Sequence, residues 1–193
     1  MGTSFKKIIK EHQGCINDLL SQPQLEDDMN QIISAIVNCF KNKGKVLFCG
    51  NGGSAADAEH LAGELSGRFK IERSPLDAEA LHVNSAALTA ISNDYGYDNS
   101  FARILEAKGN EGDVLIAMST SGSSKNILNA LQKALSLNMT CVALVGQETQ
   151  HVTSMSKFII SIPSDNTPRI QEAHMLLGHI ICEEVEKQLF QSE

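Results

Sequence analysis

Tryptophan is absent from this chain of 193 residues, and aromatic residues make up only 5% of it. The core must therefore be aliphatic and alanine-rich, and a hydrophobic content of 42% suffices to build one. Positive charge is in deficit: 16 Lys and Arg stand against 23 Asp and Glu, a net charge of −7. That balance argues against nucleic-acid binding through a basic surface. It also leaves any anionic ligand to local dipoles and hydroxyls. No C-x-x-C pair occurs and the cysteine count of five is odd, so neither a disulfide framework nor a zinc ribbon is indicated. Cys39, Cys49, Cys141 and Cys182 lie in apolar runs and read as small buried hydrophobes. Reduced thiols fit a cytoplasmic location. No run reaches transmembrane length, and Met1–Lys7 has no apolar signal core, so no membrane association is expected. Met1-Gly2 is followed at the sixth position by Lys6, not Ser or Thr, which rejects N-myristoylation.

The length suggests one domain over 1–193, with a helical arm at 1–43 and an α/β core at 44–193. In the arm, Ile8, Ile9, Ile16, Leu19 and Leu20 form one apolar stripe. Pro23 breaks it, and Met29, Ile32, Ile33, Ile36, Val37 and Phe40 form a second at helical spacing. The arm carries no obvious chemistry and reads as a packing element, on its own domain or against another subunit. Strand-like runs follow at 45–50, 79–83, 113–118, 140–145 and 158–162. They are short and barely alternate, as buried parallel strands do. Helical patterns lie at 54–68, 85–93, 99–108 and 124–138, and a last one at 168–190 has Pro168 in its first turn. Alternating strand and helix predicts a doubly wound, mainly parallel five-stranded α/β sheet flanked by helices, with binding loops at the carboxyl ends of its strands.

Two of those loops carry chemistry. Gly50-Asn-Gly-Gly-Ser54 ends an apolar strand and opens a helix that Ser54 can cap, a setting that suits an anion. Ser119, Thr120, Ser121, Ser123 and Ser124 repeat that plan after a second strand. Their hydroxyls and the next helix's free N–H groups can wrap a phosphate without Lys or Arg; the plain alternative is a serine-rich capping turn. With the second loop holding phosphate, Asn51, Gly52 and Gly53 are left to hold a sugar. Gly50-x-Gly52-x-x-Ala55 matches a dinucleotide fingerprint formally, but the acid expected about 20 residues on falls in a polar, non-strand segment at Glu72. No nucleotide cofactor is expected, and the absence of Gly-Lys-Ser/Thr after the turn excludes a P-loop. On the following helix His60 and Glu64 share a face. On the last helix Gln171 and His179 lie about 80° apart, whereas His174 and His179 lie about 140° apart. His60, Glu64, Gln171 and His179 can converge on a zinc-like divalent ion only if the two helices face each other. A solvated i, i+4 pair remains the alternative at His60 and Glu64.

Cys49-Gly-Asn-Gly-Gly-Ser54, Asp57-Ala-Glu-His-Leu-Ala-Gly-Glu64, Gly67-Arg-Phe69, Asn93-Asp94, Glu111-Gly-Asp-Val114, Ser119-Thr-Ser-Gly122 and Arg169-Ile-Gln-Glu-Ala-His174 resemble the phosphoheptose isomerases. These belong to the sugar-isomerase (SIS) superfamily, and the resemblance covers nearly the whole chain. It implies conversion of sedoheptulose 7-phosphate to D-glycero-D-manno-heptose 7-phosphate, the first step toward bacterial lipopolysaccharide heptose. It places phosphate on Ser119, Thr120, Ser121 and Ser124, and further substrate contacts at Asn51, Gly52, Gly53, Glu64, Asn93, Asp94 and Gln171. It makes His60, Glu64, Gln171 and His179 a zinc set, with Glu64 and His179 the acid–base pair. It also implies a homotetramer whose sites are shared between subunits, which would give the arm a purpose. The competing relatives are non-catalytic, replication-initiator-associating proteins of the same superfamily. They lack an acid at the place of Glu64 and an imidazole at that of His179, and this chain has both.

Overall fold

The computed structural model describes residues 4–191; Met1 and Gly2, on which the myristoylation reading turned, lie outside them. Two helices come first, α1 (Phe5–Leu20) and α2 (Leu25–Lys41), and they part around Pro23, whose missing N–H ends a helix. Five strands follow: β1 (Val46–Cys49), β2 (Ala78–Ala80), β3 (Val114–Ser119), β4 (Thr140–Val145) and β5 (Phe158–Ser161). Between and after them run α3 (Gly53–Ser66), α4 (Ser85–Tyr95), α5 (Ser100–Lys108), α6 (Lys125–Ser136) and α7 (Thr167–Phe190). All strand pairs are parallel, in the order β2-β1-β3-β4-β5.

Every residue of β1 and β3 is buried, because helices cover both faces of the sheet. Val46 and Phe48 face a core shared with α2, α3 and α7; Leu47 and Cys49 face a second one shared with α5 and α6. The five cysteines are buried and free, as small hydrophobes. Burial pushes the Cys39 and Cys141 thiols up to about 11 and keeps them inert. At the amino-terminal edge of the sheet the Asp113 carboxylate accepts from the Lys45 and Asn110 backbone N–H groups, each at 2.9 Å, and pairs with Lys45 Nζ at 3.0 Å. It locks the starts of β1 and β3 side by side.

One expectation is corrected. The strand read at 79–83 ends at Ala80. Leu81 N still donates to Phe48 O at 2.9 Å, but the chain then turns to Asn84, whose Oδ1 accepts from Ala87 N and caps α4. The α1 stripe, which reads as a packing face for its own domain or for another subunit, is only partly buried. Leu19 is buried, but Ile8, Ile9 and Leu20 are 42%, 61% and 71% exposed, because α1 meets the chain mainly along α7. In α2, by contrast, Met29, Ile32, Ile33, Ile36 and Val37 are all buried.

The strand order places the site. From β1 the chain moves outward to β2, and from β3 it moves the other way to β4 and β5. The direction of winding therefore reverses between β1 and β3, and the crevice beyond their carboxyl ends is where such sheets bind ligands. Both candidate loops leave the sheet there.

Candidate active site

The loop after β3 is a cluster of hydroxyls. Ser119 Oγ donates to Ser124 Oγ at 3.3 Å, Ser121 Oγ lies 3.5 Å from Ser124 Oγ, and Ser123 Oγ donates to Ser121 Oγ at 3.2 Å. Ser124 is the N-cap of α6, yet its side chain makes no capping bond; it faces the cluster instead. In the first turn of α6 Ile127 N donates to Ser124 O at 3.0 Å, which leaves the Lys125 and Asn126 N–H groups without intrahelical partners beside the same loop. Gly122 has φ 65°, and a Cβ there would lie 2.0 Å from Glu148 O. Only glycine lets this loop lie down on the segment after β4.

The loop after β1 differs in one respect from its sequence reading, and one of its side chains is held within the protein. The cap of α3 is Gly52, not Ser54; Ser54 lies buried in the first turn, and its Oγ accepts from Gln171 Nε2 at 3.4 Å. The Asn51 side chain is engaged within the protein. Its amide exchanges hydrogen bonds with that of Asn126 at 2.9 and 2.8 Å, and its Oδ1 also accepts from Tyr97 OH at 2.8 Å. Asn126, 3% exposed, thus ties the two loops together. The contacts left for this loop to offer come mainly from the backbone of Gly52 and Gly53.

Helices α3 and α7 do face each other. His60 Nε2 lies 3.0 Å from Glu64 Oε1 and 3.4 Å from His179 Nε2, and one ligand atom from each residue falls within a 4.8 Å cluster. Two imidazole nitrogens at 3.4 Å cannot both present lone pairs to each other. A shared proton or a cation resolves the contact, and two nitrogens with a carboxylate oxygen are a fitting donor set for a divalent metal. Gln171, on the same face of α7, packs its amide against Gly53: a Cβ there would meet Gln171 Nε2 at 2.6 Å. Gln171 and His179 line one cavity of about 530 Å³ together with Asp57, Glu172 and His12. Asn93 and Asp94 stand on the exposed last turn of α4, where Asn93 Nδ2 donates to Asp94 Oδ1 at 2.9 Å.

Several residues of this site had no assigned role in the sequence reading. Asp57 is one turn before His60, so helical spacing could have found it. Burial raises its carboxyl pKa, a trend His60 opposes, and its Oδ2 is buried without a hydrogen-bond partner among the described residues. Phe69 stacks on the His179 ring with centroids 5.7 Å apart. His12 pairs with Glu172 at 2.8 Å at the cavity edge. Neither of the last two carries a local signal. His174 is a core histidine: its Nε2 bonds to Val145 O at 3.3 Å, and burial pulls its pKa down to about 4.

A fold wound this way, with its ligand loops at the β1–β3 crevice, is that of a sugar-isomerase domain, and the SIS-domain family model matches residues 13–146. The chain belongs to the SIS-domain family. Within that family it is similar to the phosphoheptose isomerase of Helicobacter pylori (strain ATCC 700392 / 26695), with 48% identity over 95% of this chain and 94% of that one. The solved phosphoheptose isomerase from Francisella tularensis superposes with a TM-score of 0.89 at 36% identity, covering 96% of this chain and 100% of that one. The one from Neisseria gonorrhoeae gives a TM-score of 0.88 at 36% identity, covering 95% and 97%.

Proposed function

We propose that this single-domain protein is a phosphoheptose isomerase that converts sedoheptulose 7-phosphate to D-glycero-D-manno-heptose 7-phosphate. The observation that carries this reading is the meeting of His60, Glu64 and His179 across the α3–α7 seam, on a chain whose curated relatives bear that name. A non-catalytic binding role is disfavoured because it leaves the two acid–base groups without a task.

The chemistry moves a proton from C1 to C2 through a cis-enediol and a second proton from O1 to O2. Ser119, Thr120, Ser121 and Ser124, with the α6 amino terminus, hold the phosphate. Asn51 through its main chain, with Gly52, Gly53, Asn93, Asp94 and Gln171, positions the sugar chain. Glu64 presents Oε1 to His60, which leaves Oε2 to take the C1 proton and return it at C2. His179 shuttles the oxygen-bound proton. Zinc is the metal proposed for His60, Glu64, Gln171 and His179, and when bound it supplies polarisation of the carbonyl.

The assembly proposed is a homotetramer with sites shared between subunits. Its support is the exposed apolar side chains of Phe5, Ile8 and Ile9 on α1 and of Leu176 and Ile180 on α7, two helices in contact; exposed apolar patches mark association surfaces. The proposed setting is the cytoplasm, in the supply of heptose for lipopolysaccharide, consistent with five free buried thiols. No helix among the described residues is long and apolar enough to cross a membrane.

Incubation with sedoheptulose 7-phosphate and shorter ketose phosphates, with products identified by NMR, tests the reading. Aldoheptose 7-phosphate should form. Binding without isomerisation of any ketose phosphate would transfer the protein to the non-catalytic class.

A further inference from the structure

We propose that the buried pair Arg73–Glu186 is a positioning device that sets the distance between Glu64 and His179. Neither side chain lies in the substrate loops or the ligand set. Both are almost wholly enclosed, 1% and 2% exposed, with Arg73 Nε 2.8 Å from Glu186 Oε1. Such a pair needs every donor and acceptor satisfied to offset its desolvation, and how it is satisfied reveals its role.

Arg73 binds the end of α3. Its Nη2 donates to Glu64 O at 2.9 Å, and its Nη1 donates to Leu65 O at 3.0 Å, Gly67 O at 3.3 Å and Ser74 O at 3.0 Å. The Glu64 and Leu65 carbonyls belong to the last turn of α3, where intrahelical donors are missing and a cation is favoured. Glu186 gathers the following loop onto α7. Its oxygens accept from the backbone N–H groups of Phe69 at 3.1 Å, Lys70 at 2.7 Å and Ile71 at 3.0 Å. Burial opposes its charge, yet these donors and Arg73 hold its carboxyl below the usual range.

The consequence falls on the acid–base pair. Glu186 lies seven residues beyond His179, on the same face of α7 about 10 Å along it. The clasp grips the backbone of Glu64 on one side. On the other it holds the loop whose Phe69 ring lies on His179. Loosening it lets the α3 end and the α7 imidazole drift apart while the Ser119–Ser124 loop, on other elements, stays in place. A misplacement of about 1 Å at reacting groups costs on the order of a hundredfold in rate.

The inference rests on the isomerase reading, and its test separates the two. Arg73→Lys keeps the cation but lacks the fork that reaches four carbonyls. It should lower kcat at least tenfold with KM for sedoheptulose 7-phosphate within twofold, and it should reduce the ring-current shift of the His179 protons in NMR spectra. Asp113→Asn breaks a different buried pair, the one at the starts of β1 and β3. It should lower Tm comparably, with wild-type kcat and an unmoved His179 signal. Wild-type kcat and an unshifted His179 signal in Arg73→Lys would overturn the proposal, as would an equal kcat loss in Asp113→Asn. If Arg73→Lys does not fold, the isosteric Glu186→Gln carries the same readouts. A wild-type protein that turns over no ketose phosphate removes the isomerase reading alone; the NMR signal then decides the clasp.

Discussion

Gly178 sits where α7 crosses α3, one residue before His179, and it faces Leu61, the neighbour of His60. A methyl group there would lie 2.5 and 2.6 Å from the two δ carbons of Leu61 and 3.1 Å from its γ carbon. Carbon atoms rest at about 3.5–4.0 Å, so Gly178→Ala must push the helices apart by about 1 Å or force Leu61 off its rotamer. Rotating the two methyls does not clear the γ carbon. Overpacking of this kind costs about 1–3 kcal/mol. Helix propensity works the other way, favouring alanine by about 1 kcal/mol, so a net loss of stability can come only from the clash. The larger effect should be on catalysis: His60 and Glu64 ride on one helix and His179 on the other, and kcat should fall about tenfold to a hundredfold. The assay is a double-mutant cycle with Leu61→Ala, reading urea stability and kcat at each corner. Leu61→Ala alone should cost about 2–5 kcal/mol through its cavity. Adding Gly178→Ala to it should then gain the propensity term of about 1 kcal/mol, giving a favourable coupling of about 1–3 kcal/mol. Additive losses in the double variant, or a Gly178→Ala protein with wild-type kcat, would refute the reasoning.

Four further outcomes are expected. Glu64→Gln and His179→Gln should each lower kcat about 100- to 10,000-fold; near wild-type turnover in either removes that residue from the acid–base pair. Ser119→Ala and Ser124→Ala each delete a donor to an anion and should raise KM about tenfold with kcat little changed, as steady-state kinetics will read. Dialysis against a chelator should abolish turnover, with elemental analysis tracking the loss of zinc and re-addition restoring it; full activity in a metal-free sample would end the metal role. His174 is fully buried, its Nδ1 has no hydrogen-bond partner among the described residues to accept from a second N–H, and its pKa falls from 6.5 to about 4. The unfolded chain therefore binds the extra proton first. The stability that depends on neutral His174 is whole above pH 6.5 and is lost as pH falls toward 4, by about 3 kcal/mol. His174→Gln, which can still donate to Val145 O, should flatten that part of the urea stability–pH profile relative to wild type.

Much of the fold was legible because its signals are local. Non-alternating runs such as Val114–Ser119 mark strands covered on both faces, and the stripe Met29–Val37 marks a helix with one buried side. The loops were legible for the same reason, since Ser119–Ser124 and Gly50–Ser54 carry their donors and tight turns within a few residues. Local signals stopped where a distant partner intervened. Nothing near Asn51 announces that Asn126 and Tyr97 will take its amide, and nothing near Ser54 announces Gln171. The α1 stripe met the same limit: amphipathic spacing says that a face is apolar, not what covers it. Asp57 is different, because its place one turn before His60 was open to inspection.

By itself the sequence determined the parts: five buried strands, helices with defined apolar faces, two donor-rich loops, and the pairing of His60 with Glu64 on one face. Periods of about 2 and 3.6 residues fix such features without reference to the rest of the chain. Only the tertiary structure decided that winding reverses between β1 and β3, which brings the two loops to one crevice. Only it decided that α3 and α7 meet face to face through Leu61 and Gly178, with Arg73 and Glu186 clasping the end of the seam. Those contacts join residues more than a hundred positions apart, and local spacing carries no information about the distance between two helices. The metal-like cluster is thus a property of packing, and its chemistry depends on keeping that packing intact.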